Sequence, residues 1–500
     1  MGTNSSMSGR SSGILLPIFS LPSPYGIGTL GREAYAFADF LYAAGQKYWQ
    51  LLPLGPTSYG DSPYQSFSTY AGNPYFIDLD YLIREGLLEQ SEVDGADWGD
   101  NAQYVDYGKI YEARYSILRK AFQRGYSREK AAVELFAEQN EWLPNYALYM
   151  AVKAHFGMKS WLEWPDVGIR LRKPEAMERY SQDLAEDIAF YSYLQYLFFR
   201  QWKSLRDYIH SLGIKIIGDL PIYVAMDSAD VWAEPEYFQL SEDLTPTEVA
   251  GVPPDYFTAD GQLWGNPLYD YDRMKKDGFS WWIRRVEGAS RLFDIIRIDH
   301  FRGLESYWAV PYGETTARNG RWRKGPGMDL VGILNRLFPE VGFIAEDLGF
   351  ITPEVHQLLA DSGLPGMKLL EFAFDTRESC NTLPYTYSQN CVCYIGTHDN
   401  ETVMQWMNRA AHSDVSTARK YLGINAVEGF NWRMIRGGMS TLADTFVVQM
   451  QDCLGLDEEG RINIPGKPDS NWRWRLLPGE AAPCLAKKLY QYTKLFGRAT

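Results

Sequence analysis

Residues 293–300, with the sequence Phe-Asp-Ile-Ile-Arg-Ile-Asp-His, combine a short apolar run with ionisable side chains at its end. Such a run is typical of a strand buried in a parallel sheet that helices cover on both sides. Because strand side chains alternate, Arg297 and Asp299 share one face, and Ile296 and Ile298 share the other. Two charges on a buried face are costly unless they are paired. The segment therefore predicts a buried strand that ends in an ion pair.

Six other stretches repeat this pattern of an apolar run followed by polar or charged residues: 48–54, 214–217, 341–345, 369–374, 392–395 and 445–450. Helical patterns lie between them, for example at residues 33–44, 194–212 and 352–361. Strands that alternate with helices predict a parallel α/β fold. Polar residues at so many strand ends favour the active face of a (β/α)8 barrel. The alternative is a doubly wound sheet, which would concentrate its site at one switch point.

The chain is longer than such a barrel requires. It has 500 residues, whereas a (β/α)8 barrel alone needs about 250. We expect a single catalytic domain over residues 1–500, with insertions at about 80–193 and 222–290 that wall the cleft. The first insertion has helical, acidic and aromatic patterns, and the second is rich in loop residues.

Composition excludes several kinds of partner and location. The net charge of −14 argues against nucleic acid, because phosphate binding needs a basic surface. No stretch approaches the length of apolar sequence that a membrane span needs, and the polar N-terminus offers no signal-peptide core. The five cysteines, at 380, 391, 393, 453 and 484, are an odd number and predict free thiols in a reducing compartment. These features predict a cytoplasmic protein, or a plastid one if the source is a plant or alga.

Carboxylates stand at four strand ends: Asp219, Asp299, the pair Glu346-Asp347, and Asp399. Only one of the adjacent Glu346 and Asp347 can face the barrel lumen, and alternation alone does not say which. Asp299 is either half of a structural ion pair or a nucleophile that Arg297 keeps ionised at low pKa. A general acid, in contrast, must hold its proton near neutral pH, which requires apolar or anionic surroundings.

Four such carboxylates favour acid/base chemistry at a glycosidic bond. No serine-elbow, Walker A or dinucleotide-binding motif competes with this interpretation. Aromatic residues make up 15% of the chain, which suits either core filling or stacking on sugar faces. His300 and His398 adjoin strand-end aspartates and can donate to sugar hydroxyls, but their spacing is not that of a metal site. We therefore expect no metal and no cofactor.

Eleven motifs, spread over nearly the whole chain, are shared with a known family: 12–16 (SGILL), 23–28 (SPYGIG), 60–65 (GDSPYQ), 72–75 (GNPY), 218–223 (GDLPIY), 251–257 (GVPPDYF), 261–267 (GQLWGNP), 297–303 (RIDHFRG), 345–349 (AEDLG), 396–400 (GTHDN) and 471–475 (NWRWR). In these motifs the chain resembles the amylomaltases, the 4-α-glucanotransferases of glycoside hydrolase family 77, which are related to α-amylases. The chain departs from the family pattern at Ser470, where glycine is expected.

The resemblance implies a role for each catalytic carboxylate. Asp299 corresponds to the nucleophile, Glu346 to the general acid/base, and Asp399 to a carboxylate that stabilises the transition state. The resemblance also implies a barrel without a C-terminal β-sandwich, and α-1,4-glucans and malto-oligosaccharides as partners. It further implies a set of substrate-binding residues, in which Tyr256 and Phe257 belong to a lid loop: Tyr59, Asp219, Tyr256, Phe257, Gln262, Trp264, Arg297, His300 and His398.

The expected reaction is the transfer of an α-1,4-glucan segment to the 4-hydroxyl of another glucan or of glucose. A retaining double displacement requires the two reacting carboxyl groups to lie about 5–5.5 Å apart. Two alternatives remain: an α-1,4-glucan hydrolase, and a glucan-binding or scaffold protein without catalysis. The motif at 251–257 and the absence of a C-terminal sandwich argue against the first. The complete set of three carboxylates argues against the second.

Overall fold

The computed structural model describes residues 9–58, 60–254, 258–349, 351–377, 383–467 and 470–499. These residues form twelve strands: β1 (Ser11–Leu15), β2 (Tyr48–Gln50), β3 (Lys215–Leu220), β4 (Glu248–Val252), β5 (Gln262–Pro267), β6 (Ile295–Ile298), β7 (Ser306–Pro311), β8 (Arg321–Lys324), β9 (Gly342–Ala345), β10 (Gly366–Leu369), β11 (Cys391–Tyr394) and β12 (Thr445–Gln449).

The described residues also form nineteen α-helices: α1 (Arg32–Ala43), α2 (Leu79–Arg84), α3 (Gln90–Asp94), α4 (Tyr107–Glu138), α5 (Leu143–His155), α6 (Val167–Arg170), α7 (Pro174–Asp183), α8 (Ala185–Ser211), α9 (Ala229–Ala233), α10 (Tyr271–Lys276), α11 (Ser280–Leu292), α12 (Met328–Leu337), α13 (Pro353–Ser362), α14 (Leu370–Ala373), α15 (Val403–Arg409), α16 (His412–Leu422), α17 (Phe430–Ser440), α18 (Met450–Leu454) and α19 (Pro483–Leu495). Short 3-10 turns connect them, at Ile18–Ser20, Pro74–Phe76, Trp161–Glu163, Pro235–Tyr237, Phe301–Leu304, Pro384–Thr386 and Glu458–Gly460.

Eight of the strands close into a barrel in the order β1-β12-β11-β10-β9-β6-β3-β2. The paired neighbours run parallel, as strands joined by helical crossovers must. The predicted (β/α)8 barrel is therefore confirmed. The carboxyl ends of all eight strands meet at one face of the barrel, which is where barrel enzymes hold their reacting groups.

Two details of the strand prediction were wrong. The run at 369–374 is not a strand, because β10 ends at Leu369 and the residues after it form helix α14. β1 was not predicted at all, because Ser11, Ser12 and Gly13 interrupt its apolar pattern. Gly13 is needed there for close packing, since a Cβ at this position would lie 2.6 Å from the Cβ of Tyr48 on β2.

Alternation along the barrel strands produces two separate hydrophobic clusters. The inner cluster fills the barrel: Leu15, Tyr48, Ile217, Ile295, Ile344, Met367, Leu369, Val392, Tyr394 and Val447. Their sequence neighbours, such as Ile216, Ile296 and Phe343, belong to the larger cluster that also contains the residues of the surrounding helices. Each fully buried aliphatic side chain contributes about 1.5–3 kcal/mol, so these two clusters hold the barrel rigid.

Seven helices, α2 to α8, lie between β2 and β3. The long helix α4 begins after Asp106, whose side chain accepts a hydrogen bond from the amide of Lys109 at 3.2 Å. It buries Ile110, Ile117, Leu118 and Ala121, which recur at helical spacing and form one face.

A four-stranded antiparallel sheet, in the order β5-β4-β7-β8, lies outside the barrel. It joins strands from two different connections, since β4 and β5 follow β3 whereas β7 and β8 follow β6. The region at 222–290 was expected to be rich in loops, but it contains these two strands and helices α9 to α11. The sheet thus links two connections at the carboxyl end of the barrel.

Three further sequence features have structural counterparts. Cys391, Cys393 and Cys453 are buried free thiols and Cys484 is an exposed one, whereas Cys380 lies outside the described residues. Among the helices of the described ranges, none is both long and apolar enough to cross a membrane. Ser470 has φ 72°, a left-handed conformation that favours glycine, which gives a physical reason for the glycine expected there.

Candidate active site

Three neighbouring barrel strands bring ionisable side chains to the same point. On β3, β6 and β9 the inward-facing isoleucines Ile217, Ile295 and Ile344 are followed two residues later by Asp219, Arg297 and Glu346. Asp219 pairs in register with Arg297, and Arg297 pairs with Ile344. Alternation therefore continues the apolar core upward into a charged layer.

Arg297 is the centre of this charged layer. Its Nη1 atom donates to both carboxylate oxygens of Asp219, at 2.7 Å each, and lies 3.0 Å from Oδ1 of Asp299. Arg297 and Asp219 are almost completely buried, whereas 24% of the Asp299 side chain is exposed. The guanidinium thus neutralises one buried carboxylate and holds a second one that faces the cleft.

Glu346 faces the lumen and Asp347 does not, which answers the question that alternation left open. Backbone amides bind both oxygens of the Glu346 carboxyl: His300 N donates to Oε2 at 2.7 Å and Leu348 N donates to Oε1 at 2.9 Å. Asp347 instead accepts from the amide of Met367 at the next strand, at 2.6 Å. Asp347 therefore has a structural role, and Glu346 is the carboxyl available for chemistry.

The carboxyl groups perturb one another. Burial raises the pKa of Asp299 well above its usual range, Arg297 opposes this, and Asp219, Glu346 and Asp399 reinforce it. Burial likewise raises the pKa of Glu346, again against Arg297. Arg297 lowers the pKa of Asp299, as expected, but the sequence did not show the burial and the three neighbouring carboxyl groups that raise it. The two groups titrate as a pair.

Tyr64 connects Asp219 to His398. Its hydroxyl donates to Oδ2 of Asp219 at 2.6 Å and lies 2.7 Å from Nε2 of His398. Because the single hydroxyl proton points to Asp219, Nε2 of His398 must carry the other proton and donate to Tyr64. Burial lowers the pKa of His398 although Asp399 opposes this, so the ring is neutral. His398 is thereby fixed in one tautomer.

Asp399 extends into the cleft from the loop after β11. Asn463 donates to its Oδ1 atom at 2.6 Å, and Arg461 donates to its backbone oxygen at 3.4 Å. The carboxyl remains 41% exposed. Its position is therefore fixed by the segment after α18, while part of the carboxylate stays open to a ligand.

His300, Trp264 and Gln262 form a wall beside the carboxyl groups. His300 has φ 53°, an uncommon conformation for a residue with a side chain and one that occurs often at functional sites. Its ring lies edge-on to Trp264 at a centroid distance of 4.8 Å, and Trp264 donates its indole N–H to Gln262 at 3.1 Å. Burial and the nearby Arg302 lower the pKa of His300 to about 3, so this ring is also neutral.

The described residues contain most of the predicted site. Contacts link these residues in two groups, which meet where Asp299 directly precedes His300 in the chain: Asp219, Arg297, Asp299, His398 and Asp399 in one, and Glu346, His300, Trp264 and Gln262 in the other. Tyr59, Tyr256 and Phe257 lie outside the described residues. The sequence assigned no role to Tyr64 or Asn463; Tyr64 stands in the 60–65 motif, whereas nothing marked Asn463.

This arrangement suits one kind of chemistry. A partly exposed carboxylate beside a guanidinium can act as a nucleophile, and a buried carboxyl next to it can move a proton. The neutral His300 and His398 rings and the Trp264 indole suit an uncharged polyhydroxyl ligand. Within the described ranges, no three His, Cys, Asp or Glu side chains are placed to hold a metal ion.

The sequence is similar to known proteins over nearly its whole length. A family model described as 4-alpha-glucanotransferase matches residues 16–480. The 4-alpha-glucanotransferase of Clostridium butyricum is 48% identical over 484 residues, which cover 96% of this chain and 99% of that protein. The enzyme of the same name from Thermus thermophilus is 48% identical over 487 residues, which cover 95% and 96%.

A solved structure is similar over the same length. The amylomaltase from Streptococcus agalactiae, in complex with acarbose, superposes with a TM-score of 0.96 at 40% sequence identity. The match covers 98% of this chain and 100% of that one.

Proposed function

This chain belongs to the 4-alpha-glucanotransferase family, whose members transfer glucan segments, and on that premise we propose that Asp299, Glu346 and Asp399 carry out the transfer by double displacement. The observation that supports these roles most strongly is the contact of Arg297 with Asp299 at 3.0 Å, directly beside Glu346 at the carboxyl end of the barrel. The same geometry serves both halves of the reaction.

In the first half, a carboxylate oxygen of Asp299 attacks the anomeric carbon of the donor glucan. The bond from that carbon to the glycosidic oxygen breaks, and Glu346 gives its proton to the departing oxygen. The glucan segment is then covalently bound to Asp299, and Glu346 is ionised.

In the second half, the 4-hydroxyl of an acceptor glucan attacks the same carbon. Glu346 removes the hydroxyl proton, the bond to Asp299 breaks, and a new α-1,4 bond forms. Each half inverts the configuration at the anomeric carbon, so the two halves together retain it. The enzyme returns to its starting protonation state.

The coupled pair must hold its one proton on Glu346 before the reaction begins. Arg297 lowers the pKa of both carboxyl groups but lies in direct contact with Asp299, at 3.0 Å, whereas the hydrogen bonds that Glu346 accepts within the described ranges come from the neutral amides of His300 and Leu348. A charged partner favours the ionised carboxyl more strongly than a neutral donor does. Asp299 is therefore the ionised member and Glu346 the protonated one.

The remaining residues bind the sugar at the cleaved bond. Asp399, with its exposed carboxylate, accepts from sugar hydroxyls, and Asp219, Arg297, His300 and His398 surround the ring. Gln262 and Trp264, together with Tyr59, Tyr256 and Phe257, bind the neighbouring glucose units. The substrates are α-1,4-glucans and malto-oligosaccharides, and the site uses no cofactor.

Transfer must outcompete hydrolysis, so water has to be kept from the covalent intermediate. The lid residues Tyr256 and Phe257, and the segments at about 80–193 and 222–290, wall the cleft of a single catalytic domain and carry out this exclusion. The buried thiols Cys391, Cys393 and Cys453 suit a reducing compartment. The enzyme acts in the cytoplasm, or in the plastid stroma if its source is a plant or alga.

Incubation with maltotriose alone tests this proposal. Glucose together with a ladder of longer oligomers is expected, because each transfer shortens one molecule and lengthens another. A steady increase of reducing ends without longer products would contradict transfer and indicate a hydrolase. Binding of maltotriose without any product would instead indicate a glucan-binding protein.

A further inference from the structure

A buried acidic pocket lies behind the loop that carries Asp399. Glu371, at the start of α14, is only 4% exposed, and its amide donates to the backbone oxygen of Ile395 at 3.1 Å. Its carboxyl packs directly under Gly396, where an added Cβ would lie 3.0 Å from Oε1. Gly396 begins the segment Gly396–Asn400 that contains His398 and Asp399, so the Glu371 carboxyl supports the base of this loop.

The pocket holds more acidic than basic groups. Asp452 is completely buried, and Glu401 and Arg461 are the other charged groups that act on Glu371. Arg461 binds Glu401, Gln405 and the backbone of Asp399 and Asn463 instead of Glu371. Within the described part of the chain, Oε1 of Glu371 and Oδ2 of Asp452 are buried without a hydrogen-bond partner.

A buried carboxylate without a partner is strongly disfavoured, whereas a protonated carboxyl is tolerated. Burial raises the pKa of Glu371 well above its usual range, Asp452 and Glu401 raise it further, and Arg461 opposes them. Burial also raises the pKa of Asp452 to about 7. Burial, the neighbouring carboxyl groups and the unpartnered Oε1 atom all favour the protonated form of Glu371.

We propose that Glu371 is a positioning residue whose protonated carboxyl fixes the Gly396–Asn400 loop, so that loss of its proton displaces Asp399 and stops glucan transfer. This inference rests on the role proposed for Asp399. When the proton leaves to solvent, the carboxylate faces Asp452 and Glu401 with no donor at Oε1 among the described residues, and the loop above it must move. A displacement of about 1 Å at a reacting centre can reduce the rate by about 10²-fold.

The test must separate Glu371 from Glu346, because ionisation of Glu346 also stops the reaction at high pH. α-Maltotriosyl fluoride serves as the donor, since fluoride leaves without being protonated and its release does not require the acid form of Glu346. We expect kcat/KM for fluoride release by the wild-type enzyme still to fall about tenfold per pH unit above the pKa of Glu371.

Two neutral, shape-conserving variants complete the experiment. Glu371→Gln retains the neutral state and should keep wild-type activity at neutral pH while losing this alkaline decline. Asp452→Asn removes a repelling charge, so the decline should begin at lower pH, a shift that a merely structural residue would not produce. Identical profiles for wild type and Glu371→Gln would overturn the inference.

Infrared difference spectroscopy supplies a readout that is independent of activity. At neutral pH the wild type minus Glu371→Gln spectrum should contain the carbonyl band of one protonated carboxylic acid, and its absence would contradict the inference. Asp399→Asn separates this result from the proposed function. Retained transfer by that variant would remove Asp399 from catalysis without changing the infrared result.

Discussion

The interior of the barrel contains two adjacent layers that are built by the same strands and held together in opposite ways. The lower layer is apolar and includes Ile217, Ile295 and Ile344. The upper layer, two residues further along these strands, contains Asp219, Arg297 and Glu346. The lower layer is stable because it excludes water, whereas the upper layer is stable only while its charges remain paired.

This difference shows how the protein can place reactive charged groups on a rigid apolar base. Replacement of one apolar side chain by a slightly smaller one changes only packing. Replacement of one charged side chain changes the protonation and position of every neighbour, because Arg297 contacts both Asp219 and Asp299. Changes in the upper layer should therefore alter chemistry first, and changes in the lower layer should alter stability alone.

Asp299→Asn should give the largest effect, because it removes the nucleophile while it preserves the shape of the side chain. We expect kcat for maltotriose disproportionation to fall on the order of 10⁴-fold or more. Binding of malto-oligosaccharides, measured by calorimetry, should survive. The exposed Asp329→Asn serves as a matched control and should have wild-type activity. Substantial turnover by Asp299→Asn would remove this residue from the nucleophile role.

Glu346→Gln should have the next largest effect, since it removes the proton transfer but leaves the nucleophile. We expect a loss of about 10²–10⁴-fold with maltotriose. With α-maltotriosyl fluoride the first step should recover, because the leaving group needs no proton. In the wild type, the raised pKa of Glu346 should keep the enzyme active to a higher pH than an ordinary glutamic acid would allow. An equal loss with both donors would contradict an acid role.

The sequence predicted the strands of the two layers, but it predicted only part of the arrangement of their side chains. Runs such as 293–298 indicated buried strands, and alternation indicated that Arg297 and Asp299 share a face, as the structure shows. Alternation within one strand could not orient Glu346 against Asp347, because both faces of a barrel strand are buried. Glu346 is oriented inward because Ile344, two residues before it, lies inside the barrel. The sequence alone does not show that Ile344 is there.

Contacts between distant segments could not be predicted either, because they too depend on how the chain folds. Asn463 and Arg461 bind Asp399 from a segment more than sixty residues away, and no local pattern marks either of them. β1 and the shift of β10 to Gly366–Leu369 were also missed, because short strands with serine and glycine carry little periodic signal. The family motifs predicted the reacting residues well, whereas hydrophobic periodicity did not predict the residues that hold them in place.

Arg297→Met tests the pairing of the upper layer directly. The variant has a similar length but leaves the carboxylate of the buried Asp219 without its guanidinium. Removal of one partner from a buried ion pair typically costs about 3–5 kcal/mol, so we expect a loss of that size in the free energy of unfolding, together with loss of activity. Denaturant titration measures the first quantity. The double variant Arg297→Met, Asp219→Leu should recover part of the stability but none of the activity.

Ile295→Val should have the smallest effect, because it removes a single methylene group from the lower layer, directly beneath Arg297. Ile295 is completely buried among the side chains that fill the barrel, so the variant loses burial and leaves a small cavity. Such a change typically costs about 0.5–1.5 kcal/mol of stability. Because no charge is unpaired, kcat and the pH profile should stay at wild-type values while denaturant titration shows the loss. A shift of the pH profile in this variant would show that packing in the lower layer tunes the charges above it, and the two layers would then not be independent.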